Sequence, residues 1–170
     1  PYIHFQQLSN IADGVDEVRK AVRTNVKYGA DWIKVLASAG VLSEEESVGA
    51  PQYSQEELNA IVTEAAQWGR KVAAHAHGAE AINRVTRAGL SASEHGGLVD
   101  EEGVRLMKEH GTYLVPDIYT DAYILKHGKE LGLPDKMIEK ERQLRKAQNV
   151  NWRRAIAARS FATFPRASAG

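Results

Sequence analysis

Cysteine is absent from this 170-residue chain, so disulfides, thiolate metal sites and thiol nucleophiles are excluded. An excess of either charge is lacking too. The 22 Lys and Arg balance the 22 Asp and Glu, which argues against nucleic acid or an anionic membrane surface as the main partner. No apolar run approaches the roughly 20 residues that span a bilayer. A glycine-rich phosphate loop is missing, which weakens a metal-free barrel enzyme acting on phosphorylated small molecules. No secretory leader marks the first residues, and a cytoplasmic setting is the expectation. The opening PYIHFQQLSN nevertheless reads like the interior of something longer, in which case an address would lie ahead of it. What is present is ordinary globular composition, 43% hydrophobic and 26% charged, at a length sufficient for one domain with a hydrophobic core.

Val15, Val18, Val22 and Val26 recur at helical spacing and predict a first helix stopped by Gly29. DWIKVLASAG, at 31–40, is short, apolar and β-branched, and predicts a buried strand. A loop rich in Gly, Ser, Glu and Pro follows over 40–53, with SEEES at 43–47 as a solvated stretch or a lid. Ser54 and Glu57 form a capping box ahead of Leu58, Ile61, Val62 and Ala65, and KVAAH then predicts a second strand. The rhythm repeats: a helix through Ala81, Ile82 and Val85, a third strand at SASEH, a helix capped by Asp100, and a fourth strand over TYLVPDIY. From Pro134 a long charged helix runs to about Ala158. Such alternation predicts an α/β fold with a parallel sheet wrapped by helices. A closed (β/α)8 barrel needs about 250 residues, so the expectation is an open sheet or roughly half of a barrel.

Strand parity places Lys34 on one face with Trp32 and Leu36, and puts Ala73, His75 and His77 on one side of the second strand. Lys34, His75 and His95 then stand near the C-terminal ends of three successive strands, where α/β active sites gather. Small residues follow each of them and let backbone and ligand approach closely. Burial would favour the neutral amine of such a lysine. A neutral amine can take up carbon dioxide as a carbamate, and oxygen with imidazole suits zinc, manganese, iron or cobalt. Plainer readings stand beside this one: a strand histidine is often a hydrogen-bonded core residue, and a buried lysine usually pairs with a carboxylate.

The motifs GADWIKVLASAGVLS, QYSQEELNAIVTEAAQWGRKVAAHAHGAEAI, SEHGGLVDEEGVRLMKEHGTYLVP and WRRAIAA resemble the amidohydrolase superfamily. Within it they are similar to the metal-dependent dipeptidase and prolidase-like branch, related to imidazolonepropionase-type enzymes. The resemblance covers Asp13 to about Ala158 and implies a partial TIM-type (β/α)8 barrel, its strands four to seven. It implies that Lys34 is carboxylated and bridges two divalent metals, zinc foremost, and that His75 and His95 are ligands. It implies hydrolysis of an amide or peptide bond in a small substrate such as a dipeptide, by a metal-activated water and an acid–base aspartate ending strand eight.

The sequence departs from that pattern in two places. The strand-one H-x-H pair is absent, and the chain ends RSFATFPRASAG, where Ser168 stands in the place of the aspartate. Residues 1–158 are therefore expected to form a partial metal-hydrolase barrel domain, and 159–170 a degenerate strand eight or a disordered tail. The site would be incomplete, and the alternative is an inactive truncated fragment whose open barrel edges promote homo-oligomers. His77 is expected to face substrate, support a ligand or make a structural hydrogen bond. Tyr53 and Tyr119 are expected near the substrate, with Tyr53 alternatively a hydrophobic staple before Ser54.

Overall fold

The computed structural model describes residues 11–44 and 47–158. Four parallel strands, β1 (Trp32–Leu36), β2 (Lys71–Ala76), β3 (Ala92–His95) and β4 (Tyr113–Val115), lie side by side in chain order. Helices α1 (Val15–Lys27), α2 (Gln55–Gln67), α3 (Ala79–Arg87), α4 (Glu101–His110), α5 (Ile118–His127) and α6 (Asp135–Ala157) complete the fold. Among the described residues no helix is long and apolar enough to cross a membrane.

The core lies between the sheet and its crossover helices. Val18 and Val22 of α1, Leu58 and Ile61 of α2, and Ile82 and Val85 of α3 are all buried against Ile33, Val35, Val72 and Ala74 of the strands. Each such aliphatic side chain contributes roughly 1.5–3 kcal/mol by leaving water. Local chemistry sets the helix starts. The Ser54 hydroxyl accepts from Glu57 N–H (3.2 Å) and Glu57 accepts from Ser54 N–H (2.8 Å), closing the predicted box. Asp100 accepts from Gly103 N–H (2.7 Å), and Gly111 ends α4 in the left-handed conformation (φ 71°).

Two expectations are corrected. β1 is not buried on both faces: Ile33 and Val35 point into the core, while Trp32, Lys34 and Leu36 stand on an exposed face. The helices cover one side of the sheet, so parity alternates here as in a one-faced sheet. TYLVPDIY is also not a single strand. Pairing ends at Val115, Pro116 has no N–H to continue a ladder, and α5 starts at Ile118. The expected tail over 159–170, Ser168 included, lies outside the described residues.

Candidate metal centre and substrate cavity

Three imidazoles converge at the C-terminal ends of the strands. The ring centroids of His75, His77 and His95 lie 4.6–4.9 Å apart, and their nearest nitrogens fall within 4.8 Å of one another. His75 sits in β2. His77 follows its last residue yet keeps the same face, because the backbone stays in sheet-like bonding beyond the strand. Its N–H donates to Ser38 Oγ (2.9 Å), and its carbonyl accepts from Leu98 N–H (2.9 Å). The chain turns at Gly78, the N-cap of α3. Gly78 itself meets Gly49 so closely that a β-carbon would come within 2.1 Å of the Gly49 carbonyl oxygen.

His95 arrives by a different route. Glu94 pairs in register with His75, and Ser93 is fully buried beneath the helices, so parity alone would turn His95 away from the site. A left-handed backbone (φ 67°) turns it instead, the one positive φ outside glycine among the described residues. Such a conformation is costly without support. α6 supplies that support: Trp152 Nε1–H donates to the His95 carbonyl (2.8 Å), and Asn151 donates to the Gly97 carbonyl (3.0 Å). Asp117 Oδ2 stands 3.7 Å from His95 Nδ1, inside ion-pair reach but too long for a hydrogen bond. Gly40 closes the other side, where a β-carbon would lie 2.9 Å from the His75 ring.

Burial first, then the neighbouring positive charges of His95 and Lys34, pushes His75 down to about 4. Burial and the two other histidines push His77 down to about 3. Burial also lowers His95, with Asp117 opposing. All three rings are therefore neutral near pH 7 and present lone pairs, the form that binds metal. His77 Nδ1 is buried with no hydrogen-bond partner among the described residues. A neutral three-imidazole donor set with an orphaned nitrogen fits one divalent ion of the zinc type.

Lys34 is placed differently from its expectation. Its side chain is 44% exposed, and its ammonium is ion-paired with Glu94, the residue that sequence parity passes over. The plainer reading of a strand lysine, pairing with a carboxylate, describes this contact. Glu94 was detectable in principle, because a parallel register places it on the face of Lys34 and His75. Lys34 remains close enough for its charge to act on both His75 and His95.

The histidines open into a cavity of about 420 Å³ whose remaining wall is built by α5 and α6 and carries Asp121 and Glu141, with Asp117 at the His95 end. None of these carboxylates was singled out from the sequence: α5, which follows Asp117 and carries Asp121, was not expected, and Glu141 is one charge among many on α6. The loop after β1 forms the roof, tied to α6 by Lys140 Nζ donating to the Ser43 carbonyl (2.8 Å). Tyr53 does not reach this cavity; half-buried against the core, it lines a second opening beside Lys34. Tyr119 projects to solvent from the first turn of α5, 76% exposed, with Tyr123 as its aromatic neighbour.

Ochratoxinase of Aspergillus niger is 43% identical over 122 residues, which is 71% of this chain and 25% of that protein. Its crystal structure superposes with a TM-score of 0.81 at 40% identity, over 87% of this chain and 34% of that one. A Xaa-Pro dipeptidase with methionine bound in its active site gives a TM-score of 0.82 at 37% identity, over 88% of this chain and 37% of that one. A prolidase complexed with N-methylphosphonate-L-proline gives 0.82 at 39% identity, over 86% and 36%. The chain thus spans a quarter to about a third of the length of these relatives. The four-stranded arc with its outer helices is part of a TIM-type (β/α)8 barrel. Residues 1–163 match the sequence model of the amidohydrolase family, and the chain belongs to that family.

Proposed function

We propose that this chain provides part of the active site of a metal-dependent hydrolase that cleaves an amide or peptide bond in a small substrate, a dipeptide or a related amide. The observation that carries the reading is the convergence of three neutral imidazoles at the mouth of a cavity of about 420 Å³. His75 and His95 are assigned as ligands of a divalent metal, zinc foremost, and His77, on the same cluster, as a third donor or a group facing substrate. Lys34 is assigned as the carbamate bridge to a second ion, a role that requires its release from Glu94. A metal held there supplies polarisation of the scissile carbonyl and a water of lowered pKa. The chain's own residues orient the reacting bond and exclude bulk water: Gly40 permits the loop to close on His75, and α6 fixes His95. Tyr53 is assigned to substrate contact from the side of Lys34, and Tyr119 to the rim. Association of copies through the free edges of β1 and β4 belongs to the same reading.

The strand-one histidine pair and the strand-eight aspartate implied by the resemblance lie outside the four described strands. A non-catalytic reading is favoured by one observation, the Lys34–Glu94 pair on an exposed face. Metal analysis and peptide turnover separate the two. The hydrolase reading expects at least one zinc per chain, lost on His75→Ala or His95→Ala, together with cleavage of a dipeptide when the remaining strands of the barrel are supplied. Zinc retained after both substitutions overturns the ligand assignment, and bound zinc without turnover supports the non-catalytic reading.

A further inference from the structure

The wall of the cavity opposite the histidines has an electrostatic character that metal ligation does not use. Glu141 is 1% exposed, and its Oε1 has no hydrogen-bond partner among the described residues. Asp121, 8% exposed, accepts from the Gln148 side-chain amide. Asp117 stands between them and His95 in charge as well as in place, raising both buried carboxyls. Among the described residues neither Asp121 nor Glu141 has an ion-pair partner, and no lysine or arginine lines this cavity. Arg145 partly offsets their charge without lining the cavity.

A buried carboxylate left without a partner is destabilising, because desolvation is not offset by a donor or a countercharge. Proteins that keep such a group in a ligand-sized cavity gain from it when the ligand brings the missing charge. An organic cation does so here: an ammonium or guanidinium donates to the free Oε1 and neutralises a wall the protein leaves acidic.

We infer that the α5–α6 wall, through Glu141 and Asp121, is a subsite for a cationic group of the ligand, an ammonium or guanidinium held across the cavity from the histidine cluster. This deepens the hydrolase reading and rests on it only in taking the cavity as the substrate site. The cation can be the free α-amino group of a peptide or the side chain of a basic residue, and the two sources are separable. Binding to the full chain at pH 7.5 is followed by chemical-shift titration, with and without zinc. The probes are alaninamide, with an α-ammonium alone; N-acetyl-lysine amide and N-acetyl-arginine amide, with a side-chain cation alone; and neutral N-acetyl-norleucine amide. At least one cationic class binds about tenfold or more tightly than the norleucine compound. That preference drops about tenfold in Glu141→Gln, while affinity for the neutral probe is unchanged. Equal binding of cationic and neutral probes, no binding of any, or a preference untouched by Glu141→Gln overturns the subsite. The probe series in the unsubstituted protein decides the matter even where a variant folds poorly. A cation preference in a protein that binds no zinc overturns the hydrolase reading alone, and zinc binding without the preference overturns the subsite alone.

Discussion

Trp152 and Glu141 bear on the site in different ways, one holding His95 in place and the other leaving a buried carboxyl without a partner. The indole N–H donates to the carbonyl of a histidine in left-handed backbone. Trp152→Phe keeps the buried ring but removes the donor, so zinc affinity is expected to fall about tenfold, in line with other residues that orient metal ligands. Competition with a chromophoric chelator measures this, and a melting temperature changed by only a few degrees shows that the fold survives. For Glu141 the sign follows from linkage. Burial raises its carboxyl from 4.5 to about 7, so the folded state binds the proton more tightly than the unfolded state. Stability is then lost as pH rises through that window, and the full penalty is present above it. Glu141→Gln removes the penalty, and the variant is expected to be roughly 1–3 kcal/mol more stable than the parent at pH 8 but equal near pH 4.5. Urea unfolding at the two pH values checks it; a gap that grows toward acid would reverse the assignment. His75 and His95 could be named from spacing and resemblance because strand ends announce themselves in short apolar runs before glycine. Parity alone favours Glu94 for the site face, and the turn of His95 into the site was not legible, because nothing in its residue type announces a left-handed backbone.

Segments were legible where apolar periodicity and caps agree. α1 through α4, α6 and the cores of all four strands stand where the pattern puts them. α5 did not, since YLVPDIY reads as one β-branched run and only the missing N–H of Pro116 divides it. Its concealment hid Asp117 and Asp121 as part of the cavity wall. The contact between the β1 loop and the start of α3 yields a sharper expectation. Gly78→Ala places a methyl group against the Gly49 backbone, and because backbone cannot rotate aside the cost is expected to be roughly 2 kcal/mol or more. Ser54→Ala, which opens the capping box of α2, is expected to cost about 1 kcal/mol. Chemical denaturation of both variants tests whether the tight backbone crossing outweighs the cap. Lys140→Met, which removes one of two lysine ties from α6 to the roof, is expected to speed amide exchange at Gly40–Ser43 while leaving α2 unchanged.

The sheet leaves one broad face uncovered by the described helices, with Trp32, Leu36, Tyr113 and Val115 each 45–64% exposed on it. Large apolar patches of this sort promote association. Sedimentation of the chain is expected to show concentration-dependent self-association that Leu36→Glu with Val115→Glu weakens severalfold; a strictly monomeric parent would refute it. The curvature of a partial barrel was foreseeable from the strand count, but the openness of this face was not, because parity tells which side chains share a side and not whether anything covers them. The helix that braces His95 also has an optical consequence. Trp32 and Trp68 are about half exposed, whereas Trp152 is 5% exposed and hydrogen-bonded to the backbone of the site. Blue-shifted emission from this chain therefore comes from the indole that touches His95. The protein carries its own fluorophore at the candidate metal centre, so the zinc binding proposed above can be tested without adding a label.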